Sequence, residues 1–293
     1  MSTISMELVK KLRDRTQVGM MDCKKALEQT NGDFDQAVEI LRKKGAAVAA
    51  KRADNVTNHG RIESFINADS TVGVLVESAC ETDFSANTQA MKDFVVGVAE
   101  HIATKNSPSV ETLLKESFSK NPAISVQHYL DELVAKICES TKVNRFVRFD
   151  VTGHGLINVY IHPGSTVGVM VELATDKAPQ PHLEALRTLA KDICMQIAVT
   201  NPLCVLSNDL DPKAVEKERA LAQEQLQPSG KPAAVIEKII QGKLEKFYQD
   251  ACLMNQPFIK NDKITVKQYI ADTAKSMGLV VTVKQFKRFA IGR

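Results

Sequence analysis

No run in this chain approaches the roughly 20 consecutive apolar residues that a membrane-spanning helix needs. Hydrophobic residues (44%) and charged residues (25%) stand in the proportions of a soluble globular protein. No membrane contact is therefore expected. The opening residues Met-Ser-Thr-Ile-Ser-Met-Glu-Leu-Val-Lys contain neither an apolar core nor a cleavage pattern, so no secretory signal is expected. Cysteine is sparse and scattered: six in 293 residues, none in a C-x-x-C pair, which predicts reduced structural thiols and a cytoplasmic setting. There the Asn55-Val-Thr57 sequon carries no meaning. Charge of one sign is scarce as well. Lys plus Arg number 38 against 35 Asp plus Glu, and a net +3 exerts little pull on a polyanion. Direct nucleic-acid binding is not expected, and the pairs Lys43-Lys44 and Lys51-Arg52 read as solvated helix faces.

Signatures of chemistry are missing too. There is no Walker A pattern, no G-x-G-x-x-G, no H-E-x-x-H and no G-x-S-x-G, so nucleotide hydrolysis, dinucleotide redox chemistry and common hydrolase chemistry have no local basis. The six histidines show no metal-ligand spacing with the cysteines. No enzyme activity, cofactor or resident metal is implied. An enzyme reading would have to use Cys80 or Cys194 as nucleophile, and no histidine is placed by sequence to activate either thiol.

What the chain does have is an apolar strand that runs into a polar corner. Val72 to Ala79 is a β-branched, nearly continuous apolar run of strand length. Thr82 and Asp83 are N-cap types, and Asn87 offers a second start for a helix carrying Met91, Phe94, Val95 and Val98. Between them stands one aromatic, Phe84. It is either a plug for the core beneath the corner or a rigid apolar knob held out beside the Asp83 carboxylate.

At 293 residues the chain is long enough for about two domains with their own cores. Residues 1–54 read as a small helical unit and tether. Ser5 caps a first helix bearing Leu8, Val9 and Leu12, the stretch Thr16 to Gly19 breaks it, and a second helix runs from Met20 to Gln29. Asn31-Gly32 stops that helix. Asp33 and Gln36 form a capping pattern before Phe34, Ala37, Val38 and Leu41, and Gly45 is expected to close the third helix, followed by a basic, alanine-rich tether from Ala46 to Asp54. So small a core needs something to dock on.

Beyond this unit the chain repeats itself. A shift of 95 residues aligns His59-Gly-Arg-Ile with His154-Gly-Leu-Ile, and Ser70-Thr-Val-Gly-Val-Leu-Val-Glu77 with Ser165-Thr-Val-Gly-Val-Met-Val-Glu172. The same shift carries Asn106 onto Asn201. A shift of 140 carries Val126-Gln-His-Tyr-Leu130 onto Val266-Lys-Gln-Tyr-Ile270 and Arg148-Phe149 onto Arg288-Phe289. Each copy reads strand, strand, helix, helix, strand, which predicts an α+β fold of two related halves, 55–147 and 148–293, each an antiparallel sheet with helices on one face. Gly73 and Gly168, inside strand patterns, mark a bulge or a close backbone approach.

The second copy is longer by 45 residues, an insertion of about 207–262 rich in Lys, Glu and Gln. Asp211-Pro212 opens a helix through Val215, Leu221 and Leu226, Pro228-Ser-Gly-Lys-Pro232 turns it, and a return helix sets Ile236, Ile240, Leu244 and Tyr248 at four-residue steps. This predicts an antiparallel coiled-coil hairpin reaching roughly 20 to 30 Å at 1.5 Å per residue. It serves to grip a partner or to join two copies as a homodimer.

Several blocks together resemble the bacterial elongation factor Ts family of nucleotide exchange factors. They are Leu12-Arg-Asp-Arg-Thr16, Gly19-Met-Met-Asp-Cys-Lys-Lys-Ala-Leu27, Thr82-Asp-Phe84, Ser229-Gly-Lys-Pro232 and Gln256-Pro-Phe258, in that order. The resemblance implies a ubiquitin-associated-like (UBA-like) N-terminal module, a core of two related halves and a coiled-coil hairpin. It implies elongation factor Tu as the partner, with GDP exchanged for GTP and no bond chemistry. Thr82, Asp83, Phe84 and Ser85 then fall on the segment that dislodges Mg²⁺ from the partner's nucleotide site. Met20 and Met21 match the module residues that lie against the partner's GTPase domain, and His162, in Ile161-His-Pro-Gly164, is a further candidate contact. Ser85 and Asn87 depart from the family's usual residues. A competing reading makes the chain an adaptor that binds a helical or ubiquitin-like partner through its N-terminal module.

Overall fold

In the computed structural model, which describes residues 4–16, 18–52, 55–226 and 232–292, three helices open the chain: α1 (Met6–Thr16), α2 (Met20–Gln29) and α3 (Phe34–Arg52). Their ends are set by the expected residues. Leu8 N donates to Ser5 Oγ at 3.2 Å, Gln36 N donates to Asp33 Oδ1 at 2.9 Å, and Asn31 and Gly32 take positive φ after α2. Val9, Leu12, Cys23, Ala26, Leu27, Ala37 and Leu41 pack into one small core. Gly45, however, does not close α3. The helix runs through it to Arg52, so most of the expected tether is helical, in keeping with its alanine content; residues 53 and 54 lie outside the described residues.

The rest of the chain is the duplication. The first copy comprises β1 (His59–Ile66), β2 (Val72–Cys80), the short α4 (Asp83–Ala86), α5 (Gln89–Lys105), α6 (Val110–Lys115), α7 (Val126–Ile137) and β3 (Thr141–Asp150). The second begins with β4 (Gly155–Ile161), β5 (Val167–Thr175) and α8 (Leu183–Thr200). It continues through α9 (Pro212–Leu226), α10 (Ala233–Ala251) and the short strands β6 (Pro257–Phe258) and β7 (Asn261–Thr265), and ends with α11 (Val266–Met277) and β8 (Val281–Ala290). Both three-stranded sheets are antiparallel, ordered β1-β2-β3 and β4-β5-β8.

The middle strands explain the continuous apolar runs. On one face of β2, Val74 and Val76 pack with Phe94, Val98, Leu130 and Leu133 from α5 and α7. On the other, Leu75 meets Ile157 and Met170 of the second sheet. A strand covered on both sides has no solvent face on which to place polar residues. The contact between sheets repeats the sequence symmetry: Ile62 N donates to Ser165 O at 2.8 Å, and Ile157 N donates to Ser70 O at 2.7 Å. Gly73 and Gly168 sit at this seam. A Cβ on Gly73 would stand 2.5 Å from Ile157 Cγ2, and one on Gly168 would stand 2.5 Å from Ile62 Cγ2.

The helix α3 packs on α7, and Gly45 is where they cross. A Cβ there would lie 2.6 Å from Ala135 Cβ and 3.1 Å from Asp131 O. That is why a glycine is tolerated inside the helix. Gly45→Leu is expected to push α3 off α7 at a cost of about 1 to 3 kcal/mol, the usual range for overpacking. A lowered urea midpoint would register it.

The insertion carries α9 and α10, which pack on each other. Val215 meets Phe247 and Tyr248 beside the buried Cys204, Leu210, Ala251 and Cys252. Ile240 is buried, and Arg219 pairs with Glu237. Leu221 is exposed while its neighbour Ala222 is buried, so the buried stripe of α9 passes one residue away from the expected leucine. Residues 228–231 of the expected turn lie outside the described residues. After α10, Leu253 and Phe258 bury in the core of the second sheet.

Candidate partner-binding site

At the end of β2 the chain leaves the sheet through Glu81 and Thr82. Thr82 is extended (φ −128°, ψ 158°), and its Oγ1 accepts from Ser85 N at 3.3 Å, which caps α4. The following helix restarts at Thr88, not at Asn87: Met91 N donates to Thr88 Oγ1 at 3.1 Å. Asn87 is already committed to closing α4, where its backbone N–H and side-chain Nδ2 both donate to Asp83 O.

A four-residue helix has only two faces to offer. Ser85 and Ala86 turn inward, Ala86 into the core around Met91 and Phe94. Asp83 and Phe84 turn outward. Phe84 is 83% exposed, more than any other large apolar side chain among the described residues. It therefore plugs nothing beneath the corner. Keeping a phenyl ring in water forgoes roughly 1.5 to 3 kcal/mol of burial, so its place calls for an explanation outside the chain's own packing. The second copy supplies a contrast. At the matching corner, Asp176 to His182, there is no Phe, Tyr or Trp, and Pro179 stands where the 95-residue shift would put Phe84.

The corner is tied to residues that sequence reasoning missed. Glu139, just past α7, accepts from Thr82 Oγ1 at 2.7 Å and from Thr82 N at 3.0 Å, while Glu81 accepts from Ser140 N at 2.6 Å. These partners are separated by more than fifty residues, and no local pattern announces them. The other expected residues stand on separate elements. Met21 is 64% exposed on α2, whereas Met20 packs partly into the helical core. His162 is exposed in the β4–β5 turn, its Nδ1 3.0 Å from Tyr160 Oη.

Neither Cys80, at the end of β2, nor Cys194, in the core of the second half, is poised for nucleophilic work. Burial, with help from the Glu139 carboxylate, pushes Cys80 up to about 11, and burial pushes Cys194 higher still. A thiol of this kind supports the fold fully below the ordinary cysteine range, and that support drains as pH climbs toward 11. Of the six cysteines only Cys138 is exposed. A thiol reagent at pH 8 is expected to titrate one cysteine at once and the remainder only on unfolding; rapid reaction of a second thiol would contradict the burial described. Among the described residues no group of three or more His, Cys, Asp and Glu is assembled to hold a metal ion, and no helix is long and apolar enough to cross a membrane.

Comparison with known proteins places the chain in a family. The family model described as Elongation factor TS matches residues 81–293. The chain is 40% identical over 284 residues to the Elongation factor Ts of Trichlorobacter lovleyi, covering 97% of this chain and 91% of that one. It is 41% identical over 289 residues to that of Clostridium perfringens and 42% identical over 289 residues to that of a Nitratiruptor species, in both cases covering 99% of this chain and 93% of the relative.

Proposed function

This chain belongs to the elongation factor Ts family, and from that premise we propose that it binds elongation factor Tu carrying GDP and speeds the exchange of GDP for GTP in the cytoplasm. The observation that carries the reading is the exposed ring of Phe84 on a corner held by hydrogen bonds. A rigid apolar tip of this kind can enter a neighbour's nucleotide site beside the Asp83 carboxylate and displace Mg²⁺. Removing Mg²⁺ strips the phosphates of their main counter-charge. Factor and nucleotide then oppose each other reciprocally on the same partner, so the factor binds the nucleotide-free GTPase best and makes or breaks no covalent bond.

The sizes involved require more than the tip. Speeding release a thousandfold means lowering its barrier by about 4 kcal/mol, and one buried Phe supplies roughly 1.5 to 3 kcal/mol. The remainder comes from Met21 and its neighbour Met20 on a UBA-like N-terminal module, from His162 in the second half, and from α9 and α10 acting as a coiled-coil arm. In this reading Thr82 and Ser85 work mainly by holding the tip, and Asp83 and Phe84 by contact. Purified chain, added in less than molar proportion, is expected to accelerate release of labelled GDP from elongation factor Tu through many cycles. Release no faster than from Tu alone would remove the reading.

A further inference from the structure

We propose that Glu139 is the positioning residue that aims Phe84, an inference that rests on the exchange reading above. The hydroxyl of Thr82 has a single proton, and it is spent on Glu139 Oε1 at 2.7 Å. With the proton held there, a lone pair of the same oxygen is left for Ser85 N at 3.3 Å, the bond that caps α4. Glu139 therefore fixes the rotamer of the cap, and the cap fixes a helix of four residues that is too short to hold its own direction. The second carboxylate oxygen takes Thr82 N at 3.0 Å, which pins the backbone at the same point. Bonds to an ionised carboxylate are the stronger kind.

The clasp is reciprocal, since Glu81 accepts from Ser140 N at 2.6 Å, so each strand-end segment holds the other. It also has a rigid base. Glu139 follows Cys138, whose positive φ of 55° ends α7, and α7 is the helix on which α3 rests at Gly45. The Glu139 end of the clasp and the N-terminal helices thus both lean on α7, while α4 itself packs on β1, β2 and α5. The internal repeat pairs the Glu139–Thr82 half of the clasp with the tip. Under the shifts that align the two copies, Thr82 falls on Lys177, Phe84 on Pro179 and Glu139 on Leu279. The copy without an aromatic tip lacks the Glu139 carboxylate and the Thr82 hydroxyl, but it keeps the left-handed residue as Gly278. It also keeps the other half of the clasp, where Asp176 Oδ1 accepts from Val280 N at 2.8 Å as Glu81 accepts from Ser140 N, so only the Glu139–Thr82 half goes with the tip.

The test is a double-mutant cycle on labelled-GDP release from elongation factor Tu, using the full chain as parent, Glu139→Ala, Phe84→Ala and the double variant. Glu139→Ala is expected to lower the maximal release rate by about tenfold, the worth of a charge-assisted hydrogen bond, and to leave the half-saturating concentration within about threefold, because the other contacts remain. In the Phe84→Ala background the same change is expected to do nothing further. Glu139→Gln, which keeps an acceptor for Thr82 N and can donate to the hydroxyl, is expected to recover much of the loss, and it also serves if the alanine variant does not fold. The inference is overturned if Glu139→Ala matches the parent. It is equally overturned if Glu139→Ala slows both backgrounds by the same factor, which marks a general structural role. If parent and Phe84→Ala do not differ while both speed release over Tu alone, the wedge role of Phe84 fails and takes this inference with it; if neither speeds release, the exchange reading itself fails.

Discussion

Phe84→Ala is expected to slow the release of GDP from elongation factor Tu by about ten- to a hundredfold, the kinetic equivalent of roughly 1.5 to 3 kcal/mol of lost apolar contact. It is expected to leave the urea midpoint where it was, because an 83% exposed ring contributes almost nothing to its own fold. The combination is informative. A core plug would show the opposite pattern, with stability lost first and activity lost through it. Exchange should not vanish, since the other contacts still bind the opened partner. Phe84→Leu, which keeps apolar volume and gives up the flat ring, should fall between the two. Release rates measured at several factor concentrations, beside equilibrium unfolding of each variant, check every part of this expectation.

The largest effect on stability is expected at the seam between the sheets. Gly73→Val places a branched side chain where the Cβ alone would stand 2.5 Å from Ile157 Cγ2 and 2.8 Å from Met170 Sδ. Valine favours strands, so the backbone offers no objection. The cost arises entirely from packing. Ile157 is itself β-branched and inside a strand, with little rotamer freedom to retreat, and both neighbours are fully buried. A loss of about 3 kcal/mol is expected, at the upper end for overpacking a well-filled core. Gly168→Val, against Ile62 and Leu75, should cost a similar amount for the same reason. A urea midpoint unchanged by either substitution would contradict the face-to-face packing of the two copies.

Much of this arrangement was legible in the residues, and the reason is repetition. One strand pattern can be misread, but the same pattern recurring after 95 residues gives two antiparallel sheets and the equivalence of Gly73 with Gly168, while the strand order is seen only in the fold. Helix starts were legible at Ser5, Asp33 and Thr82, where the cap acts within four residues. Gly45 was misread because its cause is distant. A glycine after an apolar stripe signals a helix end when only local bonding matters, whereas here the neighbour that needs the space is Ala135 on another helix. Asn87 was misread for a subtler reason: the chain interposes a four-residue helix whose closure uses that residue, displacing the next cap to Thr88.

The site divides along the same line. Sequence placed Phe84 on a corner and left its direction open, because whether a ring faces in or out depends on what lies beneath it. Ala86 and Met91 fill that space, so the ring has nowhere to go but out. Glu139 was invisible for the converse reason. A carboxylate that acts across more than fifty residues leaves no mark in the spacing around either partner.

The central claim is that the ring of Phe84 works by unseating Mg²⁺, and one measurement isolates it: the release of labelled GDP from elongation factor Tu by parent and Phe84→Ala, with Mg²⁺ present and with Mg²⁺ chelated. With the metal already gone the wedge has nothing left to displace, so the gap between the two proteins should close to within about threefold from the ten- to hundredfold expected in its presence. A gap that stays as wide without Mg²⁺ as with it would show that the ring acts elsewhere on the partner.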